Sequence, residues 1–536
     1  MKLSTAQQSI LESDAPVRVV FGGAGTGKTT TAAALVLQSL QEAAAEGRTE
    51  RALFLSFSRS SVAQVLSRSS DILGAYSSSV EVTTFHAFAW KLLSRWGNAV
   101  GIREPTLLSP SERKVFGSTH GLGYDDLVPS AMRVLALPSV AAHLRNRWSV
   151  LVVDEFQDTS NQHWAFIQAL RGDARLVLLG DLNQCIYTNL PNSAGVGPTR
   201  VRAALALPGA ERIDLPEVSH RDPTQVIPAA ANAIRERQFE HEAVRMALKL
   251  RVLEIVHEND PNREVDAVLE QITRMRADDL SVGVFSHHID STATLSDGLN
   301  EAKVTHDVVG LPDTVDAALR AQYAMLDHAC GAGGFDDVLR QLAIFIASCE
   351  RGPSAPPLAL MVAGLRSRPA GLDQRLQKLA KILIDASSLG IGVEIAREAH
   401  QSIGLTRGES SWRNASKLLA GMLGPRILNA PALPIDGVKH VLPALERQRL
   451  SLLTYNDAIE PAPVQLMGLY QTKGREVDGA IVLLRASDYY GKENEPMPNG
   501  SKLLYVLLTR ARTRTVVLTV GSPLSPLVAP LTRLQA

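Results

Sequence analysis

The sequence has 536 residues, of which 45% are hydrophobic and 21% are charged, the profile of a soluble protein with about two to four domains. Basic and acidic residues number 55 each, so the net charge is zero and any surface for nucleic acid must be a local patch. Three widely spaced cysteines exclude a C-x-x-C zinc motif and a disulfide framework. Because neither an apolar signal core nor an apolar run of membrane-spanning length occurs, we expect a cytoplasmic protein without a membrane partner.

A strand, a glycine-rich turn and a helix follow one another near the start of the chain. The β-forming residues 17–21 precede the pattern G-x-x-x-x-G-K-T at 22–29, and an alanine- and leucine-rich run follows at 31–40. The glycines let backbone N–H groups close around an anion, and the helix N-terminus adds partial positive charge. Lys28 is expected to reach the β- and γ-phosphates and Thr29 to hold Mg²⁺. The predicted ATP-binding residues of this loop are Gly22, Gly23, Ala24, Gly25, Thr26, Gly27, Lys28, Thr29 and Thr30.

A glutamine lies ahead of this loop, in a segment that begins like a short helix. Ser4 or Thr5 can cap that helix. The amide of Gln7 carries the donor and the acceptor that the edge of adenine requires. Gln7 is therefore a candidate adenine contact, and the alternative is an ordinary surface glutamine.

Two further strands, at residues 52–59 and 82–88, end in aromatic, hydroxyl and cationic side chains. In an open parallel sheet, ligands bind beyond the carboxyl ends of the strands. Aromatic rings suit the bases of a single strand, and hydroxyl groups suit its phosphates. The alternative is two buried strands with polar ends. The candidate contacts for a single strand are Phe57, Ser58, Arg59, Thr84 and His86.

A hydrophobic strand at residues 149–154 ends in two adjacent carboxylates. Asp154 can hold Mg²⁺ through water, and Glu155 can orient and deprotonate an attacking water. Another strand, which begins at Arg175, leads to Gln184, whose amide can sense the γ-phosphate and relay that state to a bound polymer. Downstream of a phosphate loop, these features predict ATP hydrolysis.

The chain resembles a superfamily 1 helicase of the UvrD/Rep/PcrA kind. Its first half carries the early motifs of that family in order: the Q-motif glutamine (Gln7), the Walker A loop GGAGTGKTT (22–30), motif Ia SFSRSS (56–61), motif Ib TFHAF (84–88), motif II DEFQDTS (154–160) and motif III GDLNQCIY (180–187). Its second half continues the series with motif IV LPEVSHRDPTQVIPAAAN (215–232), motif V VQLMGLYQTKGREV (464–477) and motif VI YVLLTRAR (505–512). As an ordered set these motifs are highly specific.

The resemblance implies roles for four residues of the second half. Arg221 falls at the γ-phosphate arginine and Arg510 at the second arginine finger. His220 stands where the family usually has an adenine-stacking tyrosine, and Glu476 stands at the position that contacts the nucleotide. Two arginines on a second lobe would neutralise transition-state charge only when the lobes close, which ties hydrolysis to motion.

The resemblance also implies an α/β fold with two RecA-like parallel-sheet lobes of the P-loop NTPase kind and helical inserts. The first lobe would cover residues 1–213, with the 1B subdomain of the family reduced to a stub at about 96–122. The second lobe would comprise residues 214–315 and 460–536. Residues 316–459 would form a helical insert in the place of the 2B subdomain. Its apolar spacing of four, three and four predicts one buried helix face, formed by Leu372, Leu376, Leu379 and Leu383.

Two motifs depart from the family pattern in the region that contacts DNA. After Tyr187 the family usually has an aromatic residue and an arginine, whereas residues 188–192 here supply neither. In motif V, Tyr470 replaces a usual histidine and Gly468 a usual threonine. Tyr187 and Tyr470 remain candidate contacts for the strand, although the loss of one base stack would weaken binding by roughly 1–3 kcal/mol.

These observations favour an ATP- and Mg²⁺-dependent translocase on single-stranded DNA that unwinds tailed duplex DNA in repair, recombination or phage defence. The resemblance implies 3′→5′ polarity. The first alternative is a DNA-stimulated ATPase switch or sensor that acts with a partner nuclease, without processive unwinding, and docks that partner through residues 316–459. A binding module with an inactive ATPase is a second alternative, which the intact Lys28, Asp154 and Glu155 oppose. RNA remains an alternative track, because these motifs read backbone and base faces and not the 2′-hydroxyl.

Overall fold

The computed structural model describes residues 4–117, 121–188, 193–287, 290–309, 313–350, 352–434, 436–443, 445 and 462–535. The chain forms two compact units. The first comprises residues 1–103, 128–309 and 453–536, and the second comprises residues 104–127 and 310–452. Each unit is therefore built from segments that lie far apart in the sequence.

The strands in chain order are β1 (Val17–Phe21), β2 (Ala52–Ser56), β3 (Val80–Thr84), β4 (Leu107–Leu108), β5 (Leu122–Gly123), β6 (Val150–Asp154), β7 (Arg175–Gly180), β8 (Ala210–Asp214), β9 (Leu253–Glu258), β10 (Val282–Ser286), β11 (Asp307–Val308), β12 (Val464–Gly468), β13 (Val477–Arg485) and β14 (Ala511–Val520). The helices are α1 (Thr5–Glu12), α2 (Lys28–Ala45), α3 (Arg59–Leu73), α4 (Phe85–Trp96), α5 (Pro110–Phe116), α6 (Leu127–Leu135), α7 (Pro138–Arg145), α8 (Asn161–Arg171), α9 (Pro198–Leu205), α10 (Val226–Arg235), α11 (Glu242–Lys249), α12 (Glu264–Ala277), α13 (Asp290–Glu301), α14 (Asp313–Ala329), α15 (Phe335–Ser348), α16 (Pro357–Val362), α17 (Ala370–Ile384), α18 (Leu389–Ile403), α19 (Glu409–Leu428, interrupted at Gly424), α20 (Pro498–Leu508) and α21 (Ala529–Gln535).

The first lobe of unit one is a parallel sheet with the strand order β3-β2-β6-β7-β1-β8. Its strands β1, β2 and β6 are buried along their whole length, as apolar strands are when helices cover both faces of a sheet. Because β6, β7 and β1 are neighbours, the residues at their carboxyl ends share one edge. Asp154, Gly180 and Gly22 lie at this edge, and Gly22 N–H donates to the Gly180 carbonyl oxygen at 3.2 Å.

The second lobe of unit one is a parallel sheet with the strand order β11-β12-β10-β13-β14-β9. Its strands β10 and β12 are again buried along their whole length. The predicted α/β fold with two RecA-like parallel-sheet lobes is therefore confirmed. The first lobe extends slightly past residue 213, because β8 ends at Asp214 and Leu215 packs in the same apolar cluster as Val20.

The second unit packs α5 against the helices α14 to α19 around one apolar core. Val115 of α5 belongs to the same cluster of buried residues as Leu342 and Phe345 of α15. The four leucines of α17 that the sequence assigns to one buried face, Leu372, Leu376, Leu379 and Leu383, are all buried, which confirms that prediction.

Polar contacts reinforce this packing between the two segments of the second unit. Lys114 Nζ donates to the carbonyl oxygens of Ala347 (3.5 Å) and Glu350 (3.0 Å) at the end of α15. Ser111 Oγ contacts the Asp313 carboxylate in the first turn of α14. The structure thus groups residues 104–127 with the long helical insert, whereas the sequence assigns a stub at 96–122 to the first lobe. The shared apolar core accounts for the grouping.

Within the described part of the chain, no single helix is long and apolar enough to cross a membrane. One pair of helices, at residues 124–135 and 138–145 and bent by 98°, meets the length and composition requirements when taken together.

We expect Val115→Asp to loosen the second unit, because an unpaired carboxylate would enter an apolar core at a cost of several kcal/mol. Hydrogen exchange followed by mass spectrometry should show faster exchange in α15, residues 335–348. Gln374→Asp introduces the same charge at an exposed position of α17 and should leave that exchange unchanged. Unchanged exchange of α15 in the Val115 variant would contradict a shared core.

Candidate active site

The phosphate loop joins β1 to α2 and bends through two glycines in left-handed conformations. Gly25 has φ 79° and Gly27 has φ 85°, values that residues with side chains rarely adopt. Lys28 Nζ donates to the carbonyl oxygens of Gly22 (2.7 Å) and Gly23 (3.0 Å), so its ammonium group lies across the loop. A positive charge and the N-terminus of α2 therefore meet at one place, which suits a chain of phosphates.

Neighbouring side chains pack closely against two glycines of this loop, Gly22 and Gly25. A Cβ atom added to Gly22 would lie 2.4 Å from Thr26 Oγ1, and one added to Gly25 would lie 2.4 Å from Ser219 Oγ. Ser219 comes from motif IV, so a segment next to the predicted arginine Arg221 touches the phosphate loop directly. Because these glycines carry no side chain, the backbone N–H groups of the loop stay accessible to a phosphate.

Gln7 and His220 flank the loop at Gly27. A Cβ atom added there would lie 2.8 Å from Gln7 Nε2 and 3.5 Å from His220 Cδ2. Gln7 is buried, and its Oε1 accepts from Ser4 N–H at 2.9 Å in the capping box of α1, so the predicted helix cap is confirmed. His220 is exposed, and its N–H donates to the Gly25 carbonyl oxygen at 2.8 Å. The two predicted adenine contacts therefore lie side by side.

Two carboxylates end β6 and project from a strained turn. Glu155 adopts φ 55° and ψ 39°, a left-handed conformation that costs about 1–3 kcal/mol in a residue other than glycine. Gln157 Nε2 donates to Glu155 Oε2 at 2.6 Å, which fixes the carboxylate of the predicted base. Asp154 Oδ1 accepts from Glu155 N–H at 3.1 Å. The turn therefore holds both carboxylates in one orientation.

The two carboxylates have opposite pKa shifts. Burial and the neighbouring charge of Glu155 raise the pKa of Asp154 to about 7, although Lys28 opposes the shift. Burial also acts to raise the pKa of Glu155, but Lys473 and Lys28 outweigh it and hold that pKa below its usual value. Glu155 is therefore ionised at neutral pH, as a general base must be.

Thr29 and Asp154 supply the hydroxyl and carboxylate oxygens that Mg²⁺ prefers. Thr29 lies in the first turn of α2, and Asp154 ends β6, which only β7 separates from β1. The donor atoms and the glycine cradle beside them fit a nucleoside triphosphate with its Mg²⁺ ion.

Lys473 of the second lobe enters this acidic site, and no role is predicted for it from the sequence. Its Nζ donates to the Gln184 carbonyl oxygen at 3.0 Å, lies 3.4 Å from Glu155 Oε2 and contacts the Asp158 carboxylate. The side chain is only 2% exposed. Burial acts to lower the pKa of Lys473, but Asp158 and Glu155 raise it above its usual value, so the ammonium group stays charged. Motif V contains this lysine, but a motif does not indicate burial.

Gln184 joins the first lobe to the predicted arginine finger Arg510. Arg510 Nη2 donates to Gln184 Oε1 at 2.9 Å, and Gln184 Nε2 donates to Asp181 Oδ2 at 2.8 Å. Burial and the nearby Arg221 lower the pKa of Arg510 to about 10, so the guanidinium group remains protonated at neutral pH. The predicted γ-phosphate sensor and the second arginine are thus brought into direct contact.

Glu476, a predicted nucleotide contact, holds Arg221. Arg221 Nη2 donates to Glu476 Oε1 at 2.6 Å, and Arg512 Nη2 donates to Glu476 Oε2 at 3.2 Å. The Glu476 side chain is only 3% exposed. Arg221 Nη1 contacts the Thr509 carbonyl oxygen, and its buried Nε has no hydrogen-bond partner among the described residues. These contacts fix one side of the guanidinium group on the second lobe.

Tyr505 is a further residue for which the sequence predicts no role. A Cβ atom added to Gly23 would lie 3.8 Å from the Tyr505 hydroxyl oxygen, so α20 of the second lobe lies against the phosphate loop. Burial and the nearby Asp181 raise the pKa of Tyr505 above its usual value, so the hydroxyl stays protonated. Motif VI contains this tyrosine, but only the fold places it beside the loop.

Four aromatic rings gather near the predicted strand contacts of motifs Ia and Ib. His163, which the sequence does not single out, lies 5.0 Å from Phe57, 4.9 Å from Phe85 and 5.6 Å from His86, measured between ring centroids. Burial and the neighbouring His163 lower the pKa of His86 to about 3, and burial with Arg200 lowers that of His163 to about 4. Both imidazoles are therefore neutral and offer ring faces, not positive charge.

The other predicted contacts of motifs Ia and Ib differ in their surroundings. Thr84 is buried and its Oγ1 accepts from Ala87 N–H at 3.1 Å, which caps α4. Ser58 Oγ lies 2.7 Å from Ser61 Oγ. Arg59 begins α3, and its side chain lies outside the described residues.

Tyr187 of the first lobe and Tyr470 of the second lobe stack on each other. Their ring centroids lie 5.6 Å apart with an interplanar angle of 23°. Lys473 Nζ lies 5.2 Å from the centroid of the Tyr187 ring. Tyr470 is 44% exposed, so its ring is open to solvent. Of the residues that follow Tyr187, 189–192 lie outside the described part of the chain.

The site thus combines a phosphate loop, two carboxylates and a glutamine from the first lobe with Lys473, Arg221 and Arg510 from the second. Contacts between cations and acceptors of different lobes connect these groups. This arrangement has the fold of a P-loop NTPase with two RecA-like lobes, and charged groups of both lobes meet beside its phosphate loop.

Comparison with known proteins agrees with this class. The family model described as an AAA domain matches residues 6–189. The RecBCD enzyme subunit RecB of Mycolicibacterium smegmatis is 26% identical over 335 residues, 56% of this chain and 30% of that protein. DNA helicase II of Escherichia coli is 37% identical over 101 residues, 18% of this chain and 13% of that protein. ATP-dependent DNA helicase UvrD1 of Mycobacterium tuberculosis is 27% identical over 212 residues, 36% of this chain and 26% of that protein.

The chain is thus similar to UvrD/Rep-like helicases of superfamily 1, and the resemblance found in its motifs is confirmed. It spans 30% or less of the length of these three relatives.

We expect Mg²⁺ to support ATP hydrolysis less well below about pH 7. The pKa of Asp154 is about 7, so the protonated form, which does not bind cations, predominates in acid. The half-saturating Mg²⁺ concentration should be about tenfold higher at about pH 6 than at about pH 8. Asp173→Asn, which removes an exposed carboxylate, should keep this difference. Equal Mg²⁺ requirements at both pH values would contradict the role of Asp154.

We expect Lys473→Met to lower the ATPase rate at neutral pH by tenfold or more and to move its pH profile toward higher pH. Lys473 lowers the pKa of Glu155, so its removal raises that pKa and leaves more of the base protonated. Steady-state rates measured across the pH range test this expectation. Lys249→Met, at an exposed position of the second lobe, should behave as wild type. A slower Lys473 variant with an unshifted profile would indicate a purely structural lysine.

Proposed function

We propose that the protein is an ATP-dependent translocase on single-stranded DNA that unwinds tailed duplex DNA. The main support for this proposal is the contact between the two lobes beside the carboxylates of the candidate site. Arg510 donates to Gln184 Oε1 at 2.9 Å, and Lys473 donates to the carbonyl oxygen of the same residue at 3.0 Å. Because the cations belong to one lobe and the acceptor to the other, hydrolysis and the separation of the lobes depend on each other.

The charges of the site support hydrolysis of the γ-phosphate. Glu155 is ionised and held by Gln157, so it can accept a proton from an attacking water. Lys28 would neutralise the bound phosphates, and Arg221 and Arg510 would neutralise charge that develops in the transition state. Thr29 and Asp154 would hold Mg²⁺, which neutralises phosphate oxygens.

Two groups of rings support a track for a single strand. The neutral rings of Phe57, His86 and His163 lie together, and neutral rings suit base faces better than phosphates. The exposed ring of Tyr470 offers a second stacking surface on the other lobe. Two relatives named as DNA helicases support DNA as the polymer. The family resemblance supports 3′→5′ polarity.

A second candidate is an ATPase switch that binds DNA ends and signals to a partner nuclease without processive unwinding. The Tyr187–Tyr470 stack favours it, since the two rings occupy each other and not a base. The packing of residues 104–127 into the second unit also favours it, because this segment then forms no arm of its own. One relative is named as a subunit of the RecBCD enzyme, which supports a role within a larger complex.

We expect single-stranded DNA to stimulate ATP hydrolysis and the protein to unwind a duplex with a 3′ tail. Steady-state hydrolysis with and without oligonucleotide, together with strand release from a labelled duplex, measures both activities. Glu155→Gln removes the base and should lower hydrolysis by about 100-fold or more, with strand release lost in parallel.

A duplex with a 5′ tail and an RNA oligonucleotide serve as matched substrates. Release from the 5′-tailed duplex alone would reverse the proposed polarity. Stimulated hydrolysis without release of either duplex would favour the switch. Absence of stimulation by any polymer would overturn both candidates.

A further inference from the structure

An open groove of about 620 Å³ lies beside the predicted strand track on the first lobe. One wall is β3, which lies at the edge of the described first sheet and pairs with β2. The other wall is α4, the helix that begins within motif Ib. Ala87, Trp90, Lys91, Ser94 and Arg95 line this wall at the spacings of one helix face.

The groove and the aromatic cluster of motifs Ia and Ib are formed by adjacent residues of the chain. Thr83 and Ala87 line the groove and are the chain neighbours of Thr84 and His86. From Thr84 to Arg95 the helix rises by about 16 Å, which equals at most about five stacked nucleotides. A strand that leaves the cluster along α4 would therefore pass through the groove.

The groove carries a net positive charge, although the net charge of the chain as a whole is zero. Lys91 and Arg95 are exposed, and the only carboxylate that lines the described groove belongs to Glu81. Lys91 Nζ lies 2.7 Å from Glu81 Oε1, and Arg147 Nη2 lies 3.6 Å from Glu81 Oε2. Lys91 and Arg147 together carry one positive charge more than this carboxylate balances, and Arg95 adds another without an acidic neighbour in the groove lining. This balance suits a polyanion.

We propose that this groove binds the continuation of the single-stranded DNA beyond the aromatic cluster, with Trp90 stacking on a base and Lys91 and Arg95 contacting phosphates. Trp90 is half-buried, so its indole is held by the helix while part of the ring faces the groove. A half-buried ring between cations is the arrangement by which proteins bind single strands without sequence preference. The inference rests on the proposed function and extends its track by a distinct segment.

The binding of deoxythymidine oligonucleotides of increasing length tests the proposal. We expect the affinity of the wild type to rise until the strand fills both the cluster and the groove. Trp90→Ala should remove the gain from the last few nucleotides, about fivefold or more, while short oligonucleotides bind as tightly as before. Trp90→Phe should retain part of the gain, because a ring remains.

Salt dependence tests the two cations separately. In the double variant Lys91→Gln, Arg95→Gln, the slope of log affinity against log salt for long oligonucleotides should fall by about 1.4, since each phosphate contact on a single strand contributes about 0.7. Arg245→Gln with Lys249→Gln is a matched control, an exposed cation pair at the same helical spacing on the second lobe. This control should leave the slope unchanged.

The outcomes separate this inference from the proposed function. If the wild type and the groove variants bound oligonucleotides of every length equally well, the groove would not bind DNA, but the proposed translocase function would be unaffected. An equal loss at all lengths in Trp90→Ala would also overturn the groove proposal, because the residue would then act on the whole track. If the wild type bound no oligonucleotide, the proposed function itself would fall. DNA-independent ATP hydrolysis should be unchanged in all these variants, which checks their folding.

Discussion

The site depends on one buried ammonium group. Lys473 is placed by the second lobe but satisfied by the first, where it contacts Asp158, Glu155 and the carbonyl oxygen of Gln184. A buried charge is tolerated only when partners replace its lost hydration. Separation of the lobes by even a few ångströms would leave this ammonium group and the carboxylates of Asp158 and Glu155 without their charged partners. The charge state of Glu155, the proposed base, therefore depends on the position of the other lobe.

Other contacts also join a residue of one lobe to a residue of the other, but they involve hydrogen bonds and ring stacking and not a buried ion pair. Arg510 donates a hydrogen bond to Gln184, Tyr505 lies against the phosphate loop, and Tyr187 stacks on Tyr470. Each pair takes one partner from each lobe. Hydrogen bonds in a buried network are cooperative, so the network forms or breaks largely as a whole. That property suits a machine that alternates between two states of closure.

The sequence could predict the fold and many residues of the candidate site, because these depend on local patterns. A strand, a glycine turn and Lys28 specify a phosphate loop, and spaced leucines specify the buried face of α17. It could not predict what Lys473 does, since its role comes from burial among carboxylates that are distant in the chain. It could not predict that His86 is neutral either, because the low pKa of His86 comes from burial and from the neighbouring His163. The sequence also could not predict that α5 packs with α15, since apolar spacing identifies a buried helix face but not the element that covers it.

The core shared by α5 and α15 imposes an order on folding during synthesis. The first lobe can complete its sheet once β8 has emerged, whereas α5 must wait for helices that begin at Asp313. At about 5–20 residues per second, the ribosome needs about 10–40 s to make the intervening chain. Throughout that time the apolar face around Val115 has no partner from its own core. We therefore expect the nascent chain to pass through a stage in which the phosphate loop can fold while this apolar segment still lacks its partner, and exposed apolar segments of this kind are prone to aggregate.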